Sequence, residues 1–146
     1  MTGELLIGSA MIIATVLVEC LFIAAAISML KRSGSWLMSR GPFLRRLLAL
    51  SGLTLWLLAA ITVCLWLWAG LFLALGEFDS LREALYFATV SGTTVGYGDL
   101  VLSERWYLLG GLLAANGLVL FSLNTAFLFE VLRRLGDADA EGQAGG

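Results

Sequence analysis

Three long apolar segments dominate this sequence of 146 residues. They cover residues 5–30, 47–75 and 106–132, and each exceeds the roughly 20 residues that a helix needs to cross a bilayer. The composition agrees, because 60% of the residues are hydrophobic, only 14% are charged, and the mean hydropathy is +0.92. The sequence therefore predicts an all-α integral membrane protein with three transmembrane helices.

Basic residues are concentrated on one predicted side of the membrane. Five follow the first apolar segment and two follow the third: Lys31, Arg32, Arg40, Arg45, Arg46, Arg133 and Arg134. Because basic loops are retained in the cytoplasm, we expect the N-terminus outside and the C-terminus inside. The external side then carries an excess of acidic residues, which should concentrate cations.

Residues that support enzymatic chemistry are scarce. The chain has no histidine, and both cysteines, Cys20 and Cys64, fall inside spanning segments with no metal-ligand spacing. Neither a nucleophile with a base nor a cofactor motif is present. We therefore expect a protein that is not an enzyme, binds no cofactor and no nucleic acid, and has no small-molecule substrate beyond permeant cations.

The string Thr-Thr-Val-Gly-Tyr-Gly-Asp at residues 93–99 is the most informative motif. It lies in a short segment between the second and third spanning helices, which enters the membrane only if it is buried in protein. Carbonyl oxygens of successive residues face one axis only if alternate residues leave the usual backbone regions. Gly96 and Gly98 do so at little steric cost. The loop therefore implies an oligomer that surrounds a cation path.

Residues 79–135 resemble the pore domain of the potassium channel family, with a pore helix, a TVGYG selectivity filter and an inner helix. The extra helix at the N-terminus is similar to that of small bacterial potassium channels. The resemblance implies a homotetramer in membrane lipid, in the bacterial inner membrane, that conducts K⁺ passively. It also implies that carbonyls of Thr94, Val95, Gly96 and Tyr97 bind K⁺, and that Gly98 completes the bend.

A pore helix over residues 80–91 is predicted by the capping box that Ser80 forms with Glu83. The resemblance assigns support of the filter to five residues: Thr93, Asp99, Tyr86, Phe87 and Val90. Val90 stands where many relatives have an acid that bonds the aspartate after the filter. We therefore expect Asp99 to bond the hydroxyl of Tyr86.

The inner helix, predicted over residues 106–132, contains candidates for the cavity and the gate. Leu118, Phe121, Thr125 and Phe129 share one helical face, which we place on the conduction path. Gly117 stands where relatives often have a hinge, although glycine also permits close helix packing. Both interpretations of Gly117 remain open.

Glu19 lies near the middle of the first spanning segment. An acid at that depth is a candidate functional residue. An uncharged Glu19 bonded across helices, with Asn116 or Ser122 as partner, and a gating or proton-sensing role are both compatible with the sequence.

The predicted organisation has four parts. These are an N-terminal helix (1–30), a basic cytoplasmic linker (31–46), the pore domain (47–135) and a disordered acidic tail (136–146). Within the pore domain the outer helix covers 47–75 and the filter 93–99.

Two other functions fit the same topology. A weakly selective monovalent cation channel would result if Val90 and Gly92 let the filter deform. A non-conducting regulatory subunit of another channel would use the helices for association alone.

Overall fold

The computed structural model describes residues 2–38 and 43–144, with side chains described over 2–32 and 44–137. The described residues contain four helices: α1 (Thr2–Met38), α2 (Phe43–Ala74), α3 (Leu81–Gly92) and α4 (Tyr107–Ala144). Helices α1, α2 and α4 each contain a span long and apolar enough to cross a membrane. The predicted all-α membrane fold, with three spanning helices and a short fourth helix, is confirmed.

The helices α1 and α2 extend further than the sequence predicted. The linker was placed at residues 31–46, but α1 runs to Met38 and α2 begins at Phe43. Once a helix has formed, adding residues costs little, and Lys, Arg, Leu and Met favour the helical state. Arg40 and Pro42, which belong to the predicted linker, lie outside the described residues.

The prediction of a disordered tail over 136–146 is wrong for most of that segment, because α4 continues to Ala144. Alanine, Glu and Gln in the tail favour helix, and the preceding helix supplies the nucleus. Ion pairs one turn apart reinforce this end. Glu130 pairs with Arg133 at 3.0 Å and with Arg134 at 2.7 Å, and Arg133 lies 4.0 Å from Asp137.

The core lies where α3 packs between α2 and α4, while α1 packs against both α2 and α4. It is built from large apolar side chains and small alanines: Trp68, Phe72, Ala84, Phe87, Ala88, Leu109 and Leu113. Phe72 and Phe87 meet edge to face with their ring centroids 5.2 Å apart. This packing fixes the short helix α3 to the two long helices.

The ends of α3 are defined locally. The side chain of Ser80 accepts a hydrogen bond from the backbone N–H of Glu83 at 3.2 Å, which confirms the predicted helix start. At the other end, Gly92 meets Gly117 of α4. A Cβ on Gly117 would overlap the carbonyl oxygen of Gly92 and lie 2.8 Å from its carbonyl carbon. Glycine at 117 therefore permits close approach of α4 to the end of α3.

We expect Gly117→Ala to lower the thermal unfolding midpoint of the purified protein, because the methyl group has no room and overpacking costs about 1–3 kcal/mol. Gly111 on the same helix is the matched control, since a Cβ there meets nothing within 4 Å. Gly111→Ala should leave the midpoint unchanged or raise it, because alanine favours helix by about 0.5–1 kcal/mol. Equal midpoints for the two variants would contradict the close contact.

Candidate functional site

The backbone between α3 and α4 alternates in handedness. Thr94, Gly96 and Gly98 have φ values of 63°, 53° and 75°, whereas Val95 and Tyr97 are not in the positive region. Thr94 is the only described residue other than glycine with positive φ. Because every second residue turns the opposite way, successive carbonyls can point to the same side, as the predicted filter requires.

In residues 94–98, hereafter the filter segment, the backbone forms hydrogen bonds within the described chain through N–H groups and not through carbonyls. The N–H groups of Thr94, Val95 and Gly96 donate back to the end of α3, to Ser91 O at 2.9 Å and to Val90 O at 3.0 and 3.2 Å. Within the described chain, no hydrogen bond is made to the carbonyls of residues 94–98. The segment is thus anchored by its donors, and its acceptors remain available to a cation.

Asp99 is tied to the pore helix as predicted. The hydroxyl of Tyr86 donates to Oδ2 of Asp99 at 2.7 Å, and the N–H of Leu100 donates to Oδ1 at 3.1 Å. The Tyr86 hydroxyl holds the pKa of the Asp99 carboxyl below its usual value of 3.8, because it stabilises the charged form. The pair fixes the outer end of the filter segment to α3.

The other predicted support residues act in different ways. Thr93 donates from Oγ1 to Thr89 O at 2.7 Å and so closes the end of α3. Phe87 packs into the core against α2. Val90 contributes through its carbonyl oxygen, which accepts from Val95 and Gly96. Because any residue at this position has the same carbonyl, no sequence pattern indicates this contact.

A second clamp, between Glu77 and Ser103, was not predicted. The carboxylate of Glu77 accepts from the backbone N–H of Ser103 at 2.7 Å and from its hydroxyl at 2.8 Å. Glu77 follows Gly76, whose φ of 74° ends α2 and turns the chain. In the sequence, the only indication of this clamp is an acidic residue directly after the glycine that ends α2. The clamp joins the segments before and after the pore loop.

Four of the five predicted cavity and gate residues form an exposed face on α4, and the fifth, Gly117, is buried. Leu118, Phe121 and Phe129 are 57%, 38% and 68% exposed, and Thr125 is also exposed. Gly117 is buried against Gly92, so it belongs to the packing between α3 and α4. Of the two interpretations of Gly117, close packing therefore has direct support.

Glu19 is fully buried where α1 meets α2 and α4. Sγ of Cys64 lies 4.0 Å from its Oε2. The amide of Asn124 interacts with the carboxyl electrostatically, but Glu19 Oε1 and both amide atoms of Asn124 lack a partner in hydrogen-bond geometry. The acid faces protein on all sides, as expected.

The partners predicted for Glu19 are engaged elsewhere. Asn116 donates from Nδ2 to Oγ1 of Thr15 at 2.8 Å, one turn from Glu19 on α1. The hydroxyl of Ser122 donates to Leu118 O within α4. The polar contact between α1 and α4 therefore uses Thr15.

Side chains offer no site for a bound metal in the described residues, where no group of three His, Cys, Asp or Glu residues is close enough to hold one. The available oxygen ligands are the carbonyls of the filter segment. They suit a weakly held monovalent cation because neutral oxygens replace water without fixing the ion.

Tyr86→Phe should lower the thermal unfolding midpoint at pH 7, because it removes the hydrogen bond to Asp99. The pKa of Asp99 is depressed in the folded protein, so this stabilisation is present above pH 3.8 and is lost as the pH falls through the lower folded value. The difference between wild type and variant should therefore disappear in acid. Tyr107→Phe, which removes an exposed hydroxyl with no hydrogen bond in the described chain, should have no effect. A difference that does not shrink as the pH is lowered below 3.8 would contradict this assignment.

Comparison with known protein families identifies the class. A family model described as "Ion channel" matches residues 53–134, which is more than half of the chain. The match covers most of α2, all of α3 with the filter segment, and α4 to Arg134, and leaves α1 outside. Comparisons with curated proteins and with solved structures found no match. The match to residues 53–134 shows that the chain belongs to this ion channel family, and its three apolar helices make it an integral membrane protein.

Proposed function

We propose that this protein is the subunit of a homotetrameric potassium channel, which conducts K⁺ passively through the filter segment. The observation that carries the proposal is the backbone of residues 94–98. Its φ values alternate in sign, its donors are bonded to α3, and its carbonyls have no partner in the described chain. Carbonyl oxygens from several chains can then replace the water around a dehydrated K⁺.

The ligands in this proposal are the carbonyls of Thr94, Val95, Gly96 and Tyr97. Gly98 allows the last turn of the segment, and Asp99 holds its outer end through Tyr86. The C-terminal end of α3 adds partial negative charge below the filter, because the last carbonyls of a helix lack intrahelical partners. A cation that has entered the pore is stabilised at that point.

Exposure of apolar and backbone groups favours assembly into a tetramer. Val95 and Tyr97 are 53% and 73% exposed in a single chain, beside backbone carbonyls that a lipid environment does not tolerate. Each chain supplies one pore loop, so several copies are needed to surround an ion. Four copies also bring the exposed face of α4 to the axis, with Leu118, Phe121, Thr125 and Phe129 along the path. Rings of Phe129 would constrict it by excluding water.

The orientation rests on charge. Lys31, Arg32, Arg45 and Arg46 lie at one end of the α1–α2 pair, and Arg133 and Arg134 lie toward the C-terminal end of α4. With basic residues retained inside, the filter opens outward and the C-terminus is cytoplasmic. The resemblance to small bacterial channels supports a bacterial inner membrane as its location.

Packing behind the filter favours selective conduction over weak selectivity. A looser filter was expected from Gly92, but a Cβ at Gly92 would lie 2.7 Å from Leu65 and 3.3 Å from Leu113. Gly117 also packs directly against Gly92. The support is therefore tight, and it opposes deformation of the segment.

The proposal predicts potassium-driven flux into lipid vesicles that contain only the purified protein. Gly96→Ala should reduce this flux about tenfold or more, because φ at Gly96 is +53° and an L-residue pays about 1–2 kcal/mol there in each subunit. Gly70→Ala is the matched control, since Gly70 has ordinary φ and open space around it.

Three outcomes of the flux experiment are informative. Potassium flux that is lost only in Gly96→Ala supports the proposal. Equal sodium and potassium flux would support the weakly selective channel. Flux that appears only after a partner channel is added would support a regulatory subunit and contradict the proposal.

A further inference from the structure

An apolar cavity of about 220 Å³ lies between α1 and α2, away from the filter. Its walls are apolar and include several small residues: Ala26, Met29, Leu30, Ala49, Gly52, Leu53 and Trp56. Trp56 lines the cavity; its Nε1 donates to Phe22 O at 3.0 Å, and its ring lies 5.0 Å from that of Phe22. The cavity is smaller than the roughly 300–1,000 Å³ that drug-sized ligands occupy. Its size and lining suit part of an acyl chain.

Basic side chains lie within one helical turn of the lining residues, on both α1 and α2. On α1, Lys31 follows the lining residue Leu30, and Arg32 lies three residues after Met29 on the same face. On α2, Arg45 and Arg46 precede Ala49 by four and three residues. Lys31 and Arg32 are exposed. No acidic residue occurs between residues 20 and 76 of the sequence.

We propose that the α1–α2 cavity is a binding site for an anionic phospholipid. One acyl chain enters the cavity and ends against Trp56, and the phosphate of the headgroup meets Lys31 and Arg32, with the positive charge of Arg45 and Arg46 beside it. The apolar wall and the basic rim are placed in the order in which a phospholipid presents its tail and its headgroup.

Gly52 controls the volume of the site. A Cβ at Gly52 would meet nothing within 4 Å, so the missing side chain leaves open space in the wall. A leucine there has room for its Cβ, and we expect its longer side chain to occupy part of the cavity. Gly70, on the same helix, is also exposed and also has open space, but it does not line the cavity. The two glycines therefore provide a matched pair of substitutions.

The test titrates the purified full-length protein in detergent with phosphatidylglycerol and, separately, with phosphatidylcholine. Thermal unfolding measures stabilisation, and native mass spectrometry counts the lipids retained. Phosphatidylglycerol should raise the unfolding midpoint of the wild type more than phosphatidylcholine does. Gly52→Leu should reduce the stabilisation and the count of retained lipid, and Gly70→Leu should keep both.

A second pair of variants tests the basic rim independently of the cavity. Lys31→Gln with Arg32→Gln should weaken phosphatidylglycerol binding about thirtyfold, as expected for the loss of two basic contacts. Arg82→Gln with Arg105→Gln, which removes two cations from the other end of the molecule, should leave binding unchanged.

Other results would overturn the lipid site. Equal stabilisation by the two lipids would show that the rim does not select an anionic headgroup. Equal losses in the rim and control pairs would assign the effect to overall charge. A change in subunit number in Gly52→Leu alone would show that a second copy of the chain fills the cavity. None of these readouts depends on ion flux, so the site and the channel function are tested separately.

Discussion

The carbonyl oxygens of residues 94–98 impose the constraint on which this structure depends. Inside a membrane, a backbone oxygen must find a partner within the protein or on an ion. The N–H groups of Thr94, Val95 and Gly96 are bonded to Val90 and Ser91, whereas the carbonyls of residues 94–98 accept no hydrogen bond in the described chain. In the proposed channel the carbonyls line the ion path, and a path enclosed on all sides would require more than one chain.

The remaining architecture keeps that segment from relaxing into a bonded turn. The N-cap at Ser80 sets the start of α3, and the contact of Gly117 with Gly92 sets the height of its end against α4. On the outer side, Tyr86 holds Asp99, and Glu77 holds Ser103. Because these contacts lie on different elements, each fixes one end or one side of the pore loop.

Much of this fold could be predicted from local patterns in the sequence. The length of the apolar segments predicted the three spanning helices, and the capping pattern at Ser80 predicted α3. Val90, which stands where many relatives have an acid, led us to predict the bond between Tyr86 and Asp99. Contacts made through backbone atoms or across distant helices left no such pattern. The carbonyl of Val90 and the bond from Asn116 to Thr15 are of this kind. The helical ends at Met38 and Ala144 were missed because charged and small residues were interpreted as loop, although a preceding helix extends through them at little cost.

The central claim is that neutral carbonyls select potassium over sodium. The most direct test is the reversal potential of the purified protein in a planar bilayer, with potassium on one side and sodium on the other. A reversal near the potassium equilibrium potential is the predicted result. A reversal near zero with large current would contradict the claim, because it would mean that the segment passes both ions and that its backbone geometry does not discriminate between them.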